Sequence, residues 1–278
     1  MKCRVKLFFA CLLVTVLGCD EPSYVYQFPD SINVDDARLS KVGVKRIALD
    51  STLAITNQSV VYYEDPEPRV SILNRPMRKI HVFDYETGNQ LYAIHLDEEG
   101  ENGFGYMSNM GHYMVNEDSI FLSHHWENRI YMINREGKVL SKYDLKTDSD
   151  APSFYLMNNA TSKMKIVGNE LFISAQSSFK PSVESCYLLK LNLQDSSVSY
   201  HIKEPKILTD YFWGAITPFQ LSTAFTKDKM ITSFAKNPEL EVYALDNLDE
   251  PINRHVAGSR FVKSFESFPK KNSKPTLF

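Results

Sequence analysis

The unit that decides the fold is a strand, a polar turn and a second strand with the sequence IHVFDYETGNQLYAIHL, residues 80–96. Alternation of apolar and polar side chains recurs along Ile80–Asp84 and along Gln90–Leu96, which is the period of a half-buried β-strand. Asp84 ends the first strand, and its short side chain can accept hydrogen bonds from the backbone of the turn just ahead. The stretch therefore predicts an antiparallel β-hairpin.

The same unit recurs three more times along the chain. The first strand of the unit ends at Asp84, Asn134, Asn192 and Asp246, at spacings of 50, 58 and 54 residues. Further strand-like stretches lie between the copies, at 119–123, 170–174 and 229–233. A repeat of about 50–58 residues with several short strands per unit is typical of β-propeller blades. The sequence therefore predicts an all-β fold, a β-propeller, with a large β-sandwich as the alternative.

The length of the chain limits the number of blades. Residues 41–268 form the predicted propeller domain, and a polar tail follows over 269–278. At this repeat length there is room for four to five blades. Arg260–Phe265 resembles the first strand of a unit that does not finish. Because an unfinished ring leaves strand edges exposed, we expect either an unusual closure or an incomplete propeller.

The amino terminus is typical of a secretory signal peptide. Three basic residues precede the apolar run Leu7–Leu17. At 1.5 Å per residue this run is too short to cross a hydrocarbon core of about 30 Å. A basic start, a short apolar segment and small residues at its end together predict a signal peptide over residues 1–18.

The signal peptide ends in Val16-Leu17-Gly18-Cys19, which resembles the lipobox of bacterial lipoproteins. The resemblance implies that Cys19 carries a lipid and attaches the protein to a membrane, while residues 19–40 form a tether. An ordinary signal peptide that happens to contain a cysteine is the alternative. Asp20 and Glu21 follow directly, and we hypothesise an outer-membrane location in the cell envelope.

The charge of the mature chain argues against nucleic acid as a partner. Removal of residues 1–18 leaves 28 basic and 34 acidic residues, a net charge near −6. An acidic surface repels phosphate backbones and anionic lipid headgroups. We therefore expect no nucleic-acid partner and no membrane contact beyond the lipid on Cys19.

Cysteine and histidine positions give no pattern for a metal or cofactor site. Cys186 is the one cysteine after Cys19, so we interpret it as a small core residue and expect no structural zinc. His124 and His125 are adjacent, and side chains of neighbouring strand residues point to opposite faces, so the pair is unsuited to sharing one metal. The acidic loop 97–103 lacks the order of a calcium loop and predicts a solvated connection between blades. No metal or cofactor is predicted.

Aromatic side chains provide the candidate ligand-binding residues. The strongest cluster is Tyr211, Phe212 and Trp213, and Trp126 and Phe104 are weaker companions. Aromatic rings stack on sugars and anchor peptides, because they bury a large apolar area. The alternative is that these rings fill the core between strands.

Several stretches are similar to a family of Gram-negative envelope lipoproteins that contain a domain of unknown function with a six-bladed, TolB-like propeller. They are Ser71–Arg75, Ile80–Gly88, Glu99–Gly105, Asp118–Ser123 and Arg129–Gly137. The similarity extends from about residue 40 to residue 260. It implies an envelope location and a propeller of which this chain contains four to five of six blades, and it implies no catalytic residue.

We predict a lipid-anchored binding or scaffold module that engages a peptide, protein or glycan through loops on one face of the ring. The first alternative is an enzyme acting on glycans, a lyase or a hydrolase, since propellers host both kinds of function. The second alternative is a degenerate, shortened copy without activity. No catalytic residue is predicted, because the chain has neither a G-x-S-x-G elbow nor a P-loop.

Overall fold

The structure is a computed structural model. The residues that it describes are 25–27, 43–49, 59–64, 66–107, 110–125, 127–145, 154–158, 162–177, 186–203, 205, 221–235, 237–256 and 264–266. Every regular element among them is a β-strand, and no helix long and apolar enough to span a membrane is found in these ranges.

Four antiparallel sheets are arranged as a four-bladed β-propeller. A short strand, β1, covers Val25–Gln27. The first blade contains β2 to β5, which are Ser59–Glu64, Glu67–Asn74, Lys79–Asp84 and Gln90–His95. The second contains β6 to β9, which are Gly111–Asn116, Ser119–His124, Arg129–Ile133 and Val139–Asp144. The predicted all-β propeller is confirmed, with four blades.

The third and fourth blades complete the described propeller. The third contains β10 to β14, which are Phe154–Met157, Lys165–Val167, Glu170–Ser177, Cys186–Asn192 and Val198–Lys203. The fourth contains β15 to β18, which are Leu221–Phe225, Lys229–Phe234, Glu239–Ala244 and Asn253–Val256. A last strand, β19, covers Ser264–Glu266 and pairs antiparallel with β1. Part of the strand predicted at 260–265 therefore pairs with the amino-terminal strand.

The Asx residues of the repeat hold the hairpin turns as predicted in the first three blades. Asp84, Asn134 and Asn192 each accept a backbone N–H of the turn through Oδ1, at 2.7–2.9 Å. In the fourth blade this role moves by one residue, because Asn247 rather than Asp246 accepts the backbone N–H of Asp249, at 3.2 Å. These bonds satisfy turn donors that the strand ladder leaves unpaired.

Apolar side chains fill the spaces between neighbouring blades. In β7, Ile120 and Leu122 face the first blade, whereas Phe121 faces the third. A third cluster joins blades three and four, with Phe172 and Met230 fully buried. Because each middle blade buries both of its faces, its central strands are apolar on successive residues.

The inner strand of the third blade is divided. β10 and β11 both pair with β12, and the described residues between them, Asn158 and 162–164, belong to no strand. Asn158 lies at this break, where its Nδ2 donates to His112 O and its Oδ1 accepts from Met164 N, both at 3.2 Å. These bonds replace the ladder that the division interrupts.

Several predicted features lie outside the described residues: the signal peptide, the lipidated Cys19 and the polar tail. The segment 43–49 is described, and it runs beside the β4–β5 turn, where Ala48 N donates to Gly88 O at 3.0 Å. Cys186 opens β13 and is partly buried, opposite Lys203.

Replacing Gly88 by alanine should destabilise the protein by about 2–4 kcal/mol. Gly88 has φ +73°, and an added Cβ would lie 1.9 Å from the carbonyl oxygen of Arg46. Gly100 is the matched control, because it has φ +89° but an added Cβ there meets no atom within 4 Å in the described part of the chain beyond its two neighbours. Gly100→Ala should cost only the backbone strain, about 1–2 kcal/mol. Equal losses in urea denaturation would contradict the packing of segment 43–49.

Candidate functional site

The turn between β3 and β4 fixes the connection between the first two blades. Arg78 lies in this turn, and 19% of its side chain is exposed. Its Nε donates to Leu96 O at 3.2 Å, and its Nη2 donates to Asp97 O at 2.9 Å and to Gly105 O at 3.1 Å. Its Nη1 lies 3.5 Å from a carboxylate oxygen of Glu98. A single guanidinium therefore holds both ends of the connection.

Residues 96–107, named here the Tyr106 loop, also bond to themselves. Phe104 N donates to Asp97 O, and Gly105 N donates to Glu98 O, both at 3.0 Å. Strands alternate in direction within a blade, so this loop lies at the same end of the propeller as the β3–β4 and β7–β8 turns. We call this end of the first two blades the connection face.

Side chains of the Tyr106 loop alternate between the core and the surface. Phe104 is fully buried and Met107 is buried, whereas Tyr106 between them is 74% exposed. The ring of Phe104 packs edge-on against Tyr131, with 5.1 Å between centroids. The two buried neighbours and the Arg78 bonds therefore hold an aromatic ring out in solvent.

A cluster of charged and aromatic groups lies at the β7–β8 turn beside this loop, with Glu127 in the turn and Arg129 and Tyr131 on β8. Glu127 is 35% exposed, and its Oε2 accepts from Tyr131 Oη at 2.6 Å and from Arg129 Nη1 at 3.0 Å. Arg129 Nε also donates to Asp144 at 2.6 Å. Glu127 Oε1 has no hydrogen-bond partner among the described residues, and His124 Nε2 lies 3.7 Å away. The carboxylate is thus fixed through one oxygen and open at the other.

Hydrogen bonding and burial shift the pKa values of this cluster. The hydrogen bond with Tyr131, followed by that with Asp144, raises the pKa of Arg129. Burial is the main cause of the raised pKa of Tyr131, and its hydrogen bond to Glu127 adds to it. Arg129 therefore stays charged and Tyr131 stays protonated at neutral pH.

The two adjacent histidines diverge, as the strand period predicts. His124 accepts the backbone N–H of Glu127 through Nδ1 at 3.2 Å, within its own blade. His125 accepts the backbone N–H of Leu156 through Nδ1 at 3.2 Å, which joins it to the third blade. Burial, with the neighbouring His124, lowers the pKa of His125. Within the described ranges, no three His, Cys, Asp or Glu side chains converge on a possible metal position.

The acidic segment 97–103 forms an ordered connection between blades. Gly103 N donates to Gly100 O at 3.0 Å, and Asn102 Oδ1 accepts from Val139 N on β9 at 2.9 Å. The amide oxygen of Asn102 is thereby engaged with the second blade. The segment bridges the two blades, in line with the interpretation as a connection.

The structure separates the predicted aromatic residues. The prediction that Phe104 belongs to a surface platform is wrong, because its ring is fully buried. Burial of such a ring stabilises a protein by about 1.5–3 kcal/mol. Trp126, and Tyr211, Phe212 and Trp213, lie outside the described residues. Tyr106 was not predicted; the available signal was an aromatic residue between Gly105 and the apolar Met107 in a connection.

A serine and a histidine also meet inside the propeller. Ser71 Oγ and His112 Nε2 are 2.8 Å apart, and both side chains are buried, with 0% and 2% exposure. Burial lowers the pKa of His112 to about 4. The pair joins β3 of the first blade to β6 of the second and is closed to a substrate in this structure.

A fall in pH should lower the free energy of unfolding through protonation of His112. Its pKa is about 4 in the folded chain and 6.5 ordinarily, so the unfolded chain binds the proton first as the pH falls. The contribution to the free energy of unfolding is complete above pH 6.5, and about 3 kcal/mol is lost by pH 4. His112→Gln should remove this slope in urea denaturation, whereas the exposed His255→Gln should keep it. Parallel slopes for the two variants would contradict the assignment.

A comparison with one solved structure agrees with the fold. A solved structure of a DUF4221 family member from Bacteroides vulgatus has a TM-score of 0.70 at 16% identity, over 90% of this chain and 67% of that one. A protein of Bacteroides fragilis has a TM-score of 0.49 at 12% identity, over 73% of this chain and 52% of that one. No match was found among curated proteins.

The sequence profile of one family covers most of the chain. The family is described as a domain of unknown function (DUF4221), and its profile matches residues 38–271. This range includes all four blades. The chain therefore belongs to the DUF4221 family.

Proposed function

We propose that the protein is a lipid-anchored binding module of the bacterial cell envelope whose ligand contacts the connection face. The lipobox-like ending at Cys19 supports the anchor, and the outer membrane is the membrane we favour. The family resemblance supports the envelope location. The described residues of the propeller supply the surface that such a module needs.

The observation that carries this proposal is the exposed ring of Tyr106. The ring of Tyr106 is 74% exposed although its loop is ordered. Contact of apolar surface with water is unfavourable, so this exposure does not stabilise the fold. Its buried neighbours and the bonds from Arg78 keep the loop in one conformation. Prior ordering lowers the entropy cost of binding, so a preformed aromatic surface favours recognition.

The alternative is an enzyme acting on glycans. One observation favours it: His124, Arg129 and Tyr131 on β7 and β8 converge on Glu127 in the turn between these strands. Catalysis would require Glu127 to act on a bound substrate, so Glu127→Gln would abolish turnover of a glycan. A binding module would show no turnover with either chain.

Photo-crosslinking in living cells tests the proposal on the full-length chain. A photoreactive phenylalanine analogue at position 106 should form adducts in the envelope. The same analogue at position 63 is the matched control, because Tyr63 is 71% exposed near the opposite end of the blade. We expect adducts at 106 and few at 63.

The outcome that would contradict the proposal is equal labelling at the two positions, or none at 106. Replacing Cys19 by alanine controls for location, because loss of the lipid should move the chain from the membrane to the soluble fraction. Adducts that persist at 106 in the soluble variant would show binding that is independent of the anchor.

A further inference from the structure

Glu127 offers one carboxylate oxygen to a ligand in a fixed position. Tyr131 and Arg129 both donate to Oε2, which leaves Oε1 without a hydrogen bond from any described residue. A carboxylate oxygen has two lone pairs and accepts strongly from a ligand donor. Oε1 is therefore a preorganised acceptor, because the other oxygen fixes the plane of the group.

The space in front of Oε1 is kept open by Gly105. A Cβ built on Gly105 would lie 3.6 Å from Glu127 Oε1 and, among the described residues other than its two chain neighbours, would meet no further atom within 4 Å. Tyr106 is the next residue, and its ring is exposed. An exposed aromatic side chain is therefore attached one residue away from the position that faces Oε1.

The charge of the Glu127 carboxylate is already compensated inside the protein. Arg129 Nη1 donates to Oε2 at 3.0 Å, and Tyr131 Oη donates to the same oxygen at 2.6 Å. His124 Nε2 lies 3.7 Å from Oε1 but is closed to solvent, so a ligand at this position meets Oε1 alone. A neutral hydroxyl suits this oxygen better than an ammonium does, because the carboxylate is already paired with a guanidinium.

We propose that the connection face binds a neutral, hydroxyl-rich ligand such as an oligosaccharide, with one hydroxyl donating to Glu127 Oε1 and a sugar ring stacked on Tyr106. The assignment rests on the proposed binding function and adds the ligand class. The exposed carboxylates of Asp97 and Glu98 on the same face disfavour an anionic glycan.

Calorimetry on the full-length lipidated protein in a sugar-free detergent tests this ligand class. The probes are neutral hexasaccharides of glucose, mannose and xylose, with an oligogalacturonate and trilysine as anionic and cationic counter-probes. At least one neutral hexasaccharide should bind, and its affinity should change less than about twofold between about 0.05 and 0.5 M salt. Neither counter-probe should bind.

Substitutions connect the binding to the named residues. Tyr106→Ala should weaken binding about tenfold through loss of stacking. Glu127→Gln should weaken it about tenfold, because the amide oxygen would take the place of Oε2 beside its two donors and the NH₂ group would replace the acceptor. Glu99→Gln removes the same charge from an exposed position of the same loop and should leave the affinity unchanged. Circular dichroism melting of each variant confirms that the fold is kept.

Two outcomes would overturn the assignment. One is salt-sensitive binding of trilysine that Glu127→Gln abolishes, which would make the position a cation site. The other is no binding of any neutral hexasaccharide. If position 106 still forms adducts in cells, either outcome refutes the ligand class while the proposed binding function stands.

Discussion

Packing of apolar side chains between neighbouring blades is the constraint on which the rest of the structure depends. A four-stranded blade cannot bury its faces alone, and burial contributes about 25 cal/mol per Å² of apolar surface. Leu73, Ile80 and Ile120 are fully buried between the first two blades. Because the middle blades are sealed on both faces, polar and exposed groups collect at the strand ends, where the connection face lies.

Much of the fold could be predicted from the sequence, since its signals are local. The Asx residue, the polar turn and the alternating strands lie within about 17 residues, and Asp84 and Asn134 bond their turns as predicted. The divided inner strand of the third blade could not be predicted. Its break is held by Asn158 bonding to His112 of another blade, and a pairing between distant residues leaves no trace in strand period.

The candidate site shows the same division between local and tertiary signals. His124 and His125 have partners in different blades, and a divergence of neighbouring side chains at the end of a strand was predictable. The burial of Phe104 and the exposure of Tyr106 were not, because both depend on how Arg78 places the loop across the first two blades. Composition identifies aromatic residues in a connection, and only the packing of that connection decides which ring faces solvent.

The central claim is that the Tyr106 loop is ordered before any ligand binds. Hydrogen–deuterium exchange on the full-length protein measures this order directly, through the amides of Phe104 and Gly105. These amides bond to Asp97 O and Glu98 O, so they should exchange at rates similar to those of β7 and β8. Exchange as fast as in an unstructured peptide would contradict the account, because the ring of Tyr106 would then lack a fixed position.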